Sequence, residues 1–364
     1  MDADQAHMRR ALHLALKGRG KVSPNPLVGA VVVRRGRVVG EGAHLQLGGP
    51  HAEVRAFANA GPQSRGATLY VTLEPCAHQG RTPPCTEAVL DAGIRRVVCA
   101  LEDPDSRVQG KGIARLRAAG IQVEVGLGRE EAERQNAAYL KHRRTGRPLV
   151  ILKLAQSLDG RIATAGGDTR WISGEQARAL VHRWRSWTDA VMVGAGTVIA
   201  DNPRLDVRLV RGRSPRPLVV DGRLRVSPTA QVFGRPGAVL ITADAAPAKK
   251  QRAFEDRGVE VWAFPARQGH LNLGQVLARA GSEGITSVLL EGGGQLAAAA
   301  LAARAVDQVR LLVAPLLVGA GVAAIGELGV RRLDEALRLE QVVMRRLGPD
   351  LLYTADVGYP CSPA

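Results

Sequence analysis

The stretch Val71-Thr72-Leu73-Glu74-Pro75-Cys76-Ala77-His78-Gln79-Gly80-Arg81-Thr82-Pro83-Pro84-Cys85, with Pro50-His51-Ala52-Glu53 upstream, decides how this chain is read. It begins as an apolar strand pattern (Ala67–Leu73), breaks at Pro75, and ends where a helical pattern over Thr82–Ala92 takes over. One His and two Cys at such junctions make a three-ligand zinc set with a fourth position for water; structural zinc sites are normally closed by a fourth protein ligand. Glu53 follows His51 by two positions, so both side chains sit at one helix start. A carboxylate there can take a proton from an activated water and pass it to a leaving group. Helix N-termini favour thiolate, which suits Cys85. The plainer alternative is two buried thiols, as expected for Cys99 inside Val97–Ala100, while Cys361 lies in a Pro-rich tail and reads as inert.

His-x-Glu followed by Pro-Cys-x-x-Cys is the signature of zinc deaminases, with the Glu outside the metal shell. His51, Glu53, Pro75 and Cys76 match it, but eight residues separate Cys76 from Cys85 where the general signature has two.

Outward from this motif the pattern alternates. Residues 4–17 read as an amphipathic helix, Val28–Val33 and Val38–Gly42 as a hairpin around Arg35-Gly36, and Pro50–Ala60 as a helix. Strands at Arg96–Leu101 and Ile121–Val125 flank a helix at Gly112–Ala119, and Glu130–Tyr139 is one more helix. The basic stretch Lys141–Pro148 has no apolar periodicity and reads as the linker between domains 1–147 and 148–364. The pattern restarts at Leu149-Val-Ile-Leu-Lys-Leu-Ala155, with further strands at 190–193, 217–220, 238–242, 259–263, 287–290 and 309–313. Two α/β domains are expected.

Composition agrees with a two-domain globular chain: 364 residues, 45% hydrophobic and 23% charged. No apolar run approaches the roughly 18–20 residues of a membrane span. The N-terminus lacks a signal-peptide pattern, and four cysteines do not make a disulfide scaffold, so a cytoplasmic enzyme is expected. The net charge of +16 stands out, with 43 Arg among 50 basic residues. It admits nucleic acid or an anionic small molecule as partner. The excess is spread over both halves, +9 and +7, and aromatics are only 3%, so stacking platforms for bases are scarce. A small anionic substrate is the expected partner, with no nucleic acid and no membrane. Two rivals stand beside an enzyme of small molecules: a nucleic-acid deaminase with an appended binding domain, and a degenerate binding module.

In the second half, Val288-Leu289-Leu290-Glu291-Gly292-Gly293-Gly294-Gln295 reads as a strand, three glycines and an Ala-rich helix. Glycines there let a phosphate approach backbone N–H groups at a helix N-terminus, although a tight turn needs them equally. No Gly-x-Gly-x-x-Gly fingerprint opens this half.

Taken together, these motifs resemble the bifunctional riboflavin-biosynthesis family, in which a pyrimidine deaminase is fused to a pyrimidine reductase. The resemblance rests on Pro24-Asn25-Pro26-x-Val28-Gly29, Pro50–Val54 and Val71–Cys85, and the long Cys spacing is normal in that family. It continues through Leu152–Arg161, Trp171-Ile172-Ser173, Gly196–Leu205, Glu291–Gly294 and Ala314–Gly319, covering about residues 5 to 355. It implies a cytidine-deaminase-like α/β/α domain followed by a dihydrofolate-reductase-like α/β domain, one Zn2+ per chain, and NADPH; a homo-oligomer is a separate expectation. It implies that His51, Cys76 and Cys85 hold zinc, that Glu53 shuttles the proton, and that Asn25, His78 and Arg81 hold the substrate. His44 and Asp103 are weaker candidates. In the reductase half, Gln156, Trp171, Thr197, Asp201, Gly222, Gly292, Gly293, Gly294 and Gln295 fall where the family binds NADPH. Thr169, Arg185, Leu205, Arg208 and Glu291 fall where it holds substrate. Arg185 and Arg208 can each offer a planar fork to a ribose phosphate.

Overall fold

The computed structural model describes residues 3–79, 83–169 and 172–360. The chain divides into two compact units, Met1–Gly146 and Arg147–Ala364.

In the first unit, helix α1 (Ala3–Ala15) buries Met8, Ala11 and Leu12. Strands β1 (Gly29–Arg34) and β2 (Arg37–Ala43) pair antiparallel. Arg35 and Gly36 between them both take positive φ, as a tight primed hairpin turn requires. There follow α2 (Ala52–Ala60), β3 (Thr68–Val71), α3 (Cys85–Asp91), β4 (Arg96–Cys99), α4 (Lys111–Ala118) and β5 (Gln122–Val125). The sheet order is β2-β1-β3-β4-β5, with β3, β4 and β5 parallel. One face packs Val32, Leu69 and Val97 against α2, α3 and α4. The other packs Val31, Tyr70 and Val98 against α1 and two last helices, α5 (Arg129–Gln135) and α6 (Ala137–Thr145). This is the α/β/α sandwich.

The expected linker is largely helix: α6 runs through Lys141–Thr145 and stops at Gly146, whose φ is 68°. Apolar periodicity missed it because only Tyr139 and Leu140 of α6 are buried. Lys and Arg are good helix formers, and three basic residues in the last turn meet the negative end of the helix dipole.

The second unit runs β6 (Leu149–Ser157), β7 (Arg161–Thr164), α7 (Glu175–Trp187), β8 (Ala190–Gly194), α8 (Ala195–Asp201), β9 (Arg216–Val220), β10 (Val239–Ala243), α9 (Ala248–Glu255) and β11 (Glu260–Phe264). A short ribbon of β12 (Ala266–Arg267) and β13 (His270–Leu271) leads to α10 (Leu273–Ser282), β14 (Ser287–Leu290), α11 (Gly294–Ala302), β15 (Gln308–Ala314), β16 (Gly321–Ala323), β17 (Arg338–Leu347) and β18 (Asp350–Gly358). Nine strands form one sheet in the order β11-β10-β9-β8-β14-β6-β15-β18-β17. From β11 to β15 neighbours are parallel; β18 and β17 close the edge antiparallel. Apolar residues cover both faces of the parallel part, as helices on both sides demand. The β17–β18 hairpin was not expected from sequence, because β17 is almost wholly exposed and its mixed charged and apolar residues mark no buried face. No helix among the described residues is long and apolar enough to cross a membrane.

Candidate active sites

His51 caps α2 with extended backbone, φ −70° and ψ 164°, and Glu53, two residues on, lies in the first turn. Cys76 lies in the loop after β3, and Cys85 is the first residue of α3. His51 Nδ1 lies 3.0 Å from Cys85 Sγ and 3.7 Å from Cys76 Sγ. All three ligand atoms fall within 4.8 Å of one another. Tetrahedral zinc with bonds of about 2.0–2.3 Å spaces its ligands by roughly 3.5 Å, so this donor set fits the ion. Cys76 is held down to about 4 by hydrogen bonds from Cys85 and His51, while Cys85 is pushed up because it donates to Cys76. Cys76 also accepts the backbone N–H of Cys85 at 3.4 Å. Glu53 is only 3% exposed, and that burial raises its carboxyl above the usual range.

His51, Glu53 and Cys76 open into a cavity of about 350 Å³ whose wall includes Asn25, His44, His78 and Asp103. His44 Nδ1 faces the Pro50 carbonyl at 3.2 Å, which can only accept, so Nδ1 carries the proton. Its Nε2 then accepts from Asn25 Nδ2 at 3.2 Å. Burial keeps His44 neutral, and the bond fixes which way the Asn25 amide faces. His78 Nδ1 is buried without a hydrogen-bond partner among the described residues. The Tyr139 hydroxyl lies 2.8 and 3.0 Å from the two carboxylate oxygens of Asp103. Arg81 and Trp171 lie outside the described residues.

In the second unit, Glu291 follows β14 and meets Arg185 of α7. Arg185 Nε and Nη2 donate to its two oxygens at 2.6 and 2.9 Å, and Nη1 donates to the Asp206 carbonyl at 3.1 Å. The planar fork expected to face a phosphate is thus held by Glu291. Lys153 Nζ of β6 is 3.7 Å from the same carboxylate, and burial lowers its pKa. Sequence reasoning assigned Lys153 no role; the signal was a lone charge inside Leu149–Ala155.

Thr197 Oγ1 accepts the Gly293 N–H at 3.2 Å, and Thr169 Oγ1 donates to Asp201 Oδ1 at 3.1 Å. Thr197 and Asp201, four apart on α8, share a face. Gly293 caps α11, Gly294 begins it, Gln295 is exposed, and Gly292 packs against Leu296. Gly222 abuts the Gly269 carbonyl so closely that a Cβ would lie 2.2 Å from it. Gln156 sits on β6 opposite Val313, half-buried. Arg208 pairs its side chain with Asp206, while its backbone N–H donates to His182 Nδ1 at 3.1 Å.

Leu205 is 3% exposed, and its side chain packs in the core with Val198 and Phe233. Its positive φ of 53° turns the backbone, and its carbonyl accepts from Arg235 Nη1 at 2.6 Å.

With this geometry in view, comparison with known proteins is direct. Residues 148–353 match the RibD C-terminal domain family, and residues 1–101 match the cytidine and deoxycytidylate deaminase zinc-binding region. Riboflavin biosynthesis protein RibD of Bacillus amyloliquefaciens is 41% identical over 97% of this chain and 96% of its own length. Among solved structures, Acinetobacter baumannii RibD is 37% identical with a TM-score of 0.89, covering 98% of this chain and 99% of that one. A diaminohydroxyphosphoribosylaminopyrimidine deaminase/5-amino-6-(5-phosphoribosylamino)uracil reductase of Thermotoga maritima is 34% identical with a TM-score of 0.83, covering 99% of each chain. A deaminase-type zinc cluster followed by a RibD-type reductase unit, at this identity over nearly the whole length, means that the chain belongs to the riboflavin biosynthesis protein RibD family.

Proposed function

We propose that this bifunctional enzyme first deaminates 2,5-diamino-6-ribosylamino-4(3H)-pyrimidinone 5′-phosphate and then reduces the ribosyl side chain with NADPH. The product is 5-amino-6-ribitylamino-uracil 5′-phosphate. The observation that carries the first step is the convergence of His51, Cys76 and Cys85, with buried Glu53 two residues from His51. These three residues would hold the zinc, which when bound supplies an acidified water. Glu53, kept out of solvent with a raised pKa, holds a proton between water and the departing amine. Asn25, oriented by neutral His44, offers hydrogen bonds to the pyrimidine edge, and His78 and Arg81 complete the substrate contacts.

For the second step, the N–H groups opening α11 at Gly292–Gln295 suit a cofactor phosphate, and Thr197 holds Gly293 in place. NADPH supplies the hydride. Gln156, Trp171, Asp201 and Gly222 complete its site. Thr169, Arg185, Arg208 and Glu291 face the substrate, Leu205 contributing backbone only. Arg185 positions the Glu291 carboxylate, and Lys153 adds a cation beside it.

The enzyme works in the cytoplasm on a small phosphorylated pyrimidine, with no nucleic-acid partner. It assembles as a homo-oligomer, a reading supported by β17, an open edge strand that exposes Val342, Val343 and Met344. Mass spectrometry of the reaction with and without NADPH tests the function, because each step leaves its own mass change. Deamination alone without NADPH, and both changes with it, is the expected outcome.

A further inference from the structure

The cavity lined by His51, Glu53 and Cys76 also reaches two guanidinium groups, Arg107 and Arg143, and among the described residues they are its only Lys or Arg side chains. Both converge on Asp105. Arg107 donates from Nε and Nη2 to its two oxygens at 3.0 and 2.6 Å, and Arg143 Nε lies 3.5 Å away. Arg107 holds Asp105 ionised, down to about 2, so the trio keeps one net positive charge. Arg143 is anchored in a second way, its guanidinium carbon 5.3 Å from the Tyr139 ring centroid. Tyr139 is in turn fixed by Asp103. Arg143 Nε is buried on the Asp105 side and makes no proper hydrogen bond there, so the two are held together by charge, while about a quarter of the side chain stays exposed. A half-buried cation oriented by a carboxylate and a ring, on the wall of a substrate cavity, is built for a doubly charged oxyanion.

We infer that Arg143, supported by Arg107, is the anion subsite that takes the 5′-phosphate of the deaminase substrate. This rests on the proposed deamination, with the amino-pyrimidine end at Glu53 and Asn25 and the phosphate at the guanidinium pair. Asp105 holds the pair oriented before substrate arrives.

The test compares zinc-loaded full-length wild type with the Arg107→Ala/Arg143→Ala double variant and with Arg81→Ala. Deamination is measured on the phosphorylated pyrimidine and on its dephosphorylated riboside. In the double variant, the ratio of kcat/KM for phosphorylated over dephosphorylated substrate should fall about 30- to 100-fold, the scale of losing charge-assisted hydrogen bonds. An unchanged ratio in the double variant, with the loss appearing in Arg81→Ala alone, overturns the assignment. A second arm needs no turnover: ribose 5-phosphate is titrated while the histidine ring NMR signals of the cavity are followed. Shifts in wild type that need at least tenfold more ligand in the double variant support the subsite even if deamination fails. Equal titrations overturn it.

Discussion

Glu74 Oε1 accepts the backbone N–H of Gly112 at 2.9 Å, tying the residue two before Cys76 to the first turn of α4. The same carboxylate accepts from Ile113 at 3.2 Å, Gly110 at 3.0 Å and Asp103 at 3.2 Å. A side chain on Gly112 would begin 2.0 Å from the Pro75 carbonyl, so helix and metal loop are in direct contact. Glu74 is thus an anchor for the loop carrying Cys76 and for the Asp103 wall of the cavity. Glu74→Gln replaces one accepting oxygen with an NH2 group that faces N–H donors. Leaving buried donors unsatisfied costs about 1–3 kcal/mol each. Thermal unfolding of the first unit should drop by several degrees, and zinc release to a chelator should quicken. Unchanged melting and unchanged release would remove the anchoring role.

The metal site itself makes a count. The purified protein should hold one zinc per chain, reflecting the single His51/Cys76/Cys85 cluster among the described residues. Cys76→Ser and Cys85→Ser should each lose metal and deamination together, while NADPH oxidation with the deaminated intermediate persists. Glu53→Gln should keep zinc, since Glu53 is no ligand, yet slow deamination by the roughly 10²–10⁴-fold typical of a lost general acid–base. Metal analysis beside turnover separates the two classes of variant.

How much of this was legible beforehand follows from where each signal lives. His51, Glu53, Cys76 and Cys85 are rare chemical types at strand–helix junctions, and strands with covered faces announce themselves by continuous apolar runs such as Leu149–Leu152. Interactions made across the chain leave no local trace. Arg185 and Glu291 are 106 positions apart, so nothing in either neighbourhood says that the arginine fork is already engaged. Leu205 is named through the resemblance alone; its burial depends on the distant residues of β10 and α9, which nothing in its own neighbourhood announces. The exposed β17 edge lacked periodicity because no layer covers it.

His182 gives the second unit a pH dependence with a definite sign. It is 5% exposed, and burial, aided by Arg185 and Arg208, depresses its pKa from 6.5 to about 4. Its Nδ1 must stay unprotonated to accept the Arg208 N–H. A depressed histidine favours the fold fully above the unfolded value of 6.5, and that contribution is lost as pH falls from 6.5 toward 4. The loss amounts to about 3 kcal/mol at 1.36 kcal/mol per unit. His182→Asn keeps an accepting oxygen and removes the titration. Denaturant midpoints between pH 7 and pH 4 should decline less steeply in that variant; parallel curves would place the acid sensitivity elsewhere.

Residues 147–364 should fold when expressed alone, because the core clusters on both sheet faces of this unit draw only on its own residues. The fragment should show a cooperative thermal transition and oxidise NADPH only with the deaminated intermediate. A molten fragment would mean that the first unit contributes to its stability.

The three glycines before α11 separate a structural from a cofactor role. At Gly294 an added Cβ would lie 2.4 Å from the Ala323 carbonyl, so Gly294→Ala should destabilise the unit whatever the loop binds. Gly293 differs. Its φ of −72° and ψ of 175° are open to any residue, and an added Cβ would make only ordinary contacts, 3.7 Å to Thr197 Oγ1 and 4.0 Å to Ile162 Cδ1. It also occupies the N-cap, where Asp is among the preferred residues. Gly293→Asp should therefore melt at or slightly above the wild-type temperature. Its new carboxylate, however, occupies the place proposed for the cofactor phosphate. Like-charge opposition of about 1–3 kcal/mol should weaken NADPH binding roughly ten- to a hundredfold. Arg208→Ala should spare NADPH binding and raise KM for the phosphorylated pyrimidine. Titrating NADPH into each variant at low and high salt separates a local clash from a loss of general charge attraction, since salt screens exposed charges more than a Debye length apart and close pairs much less. A Gly293→Asp protein that melts normally and binds NADPH normally would reduce Gly292–Gly294 to a turn and move the cofactor phosphate elsewhere.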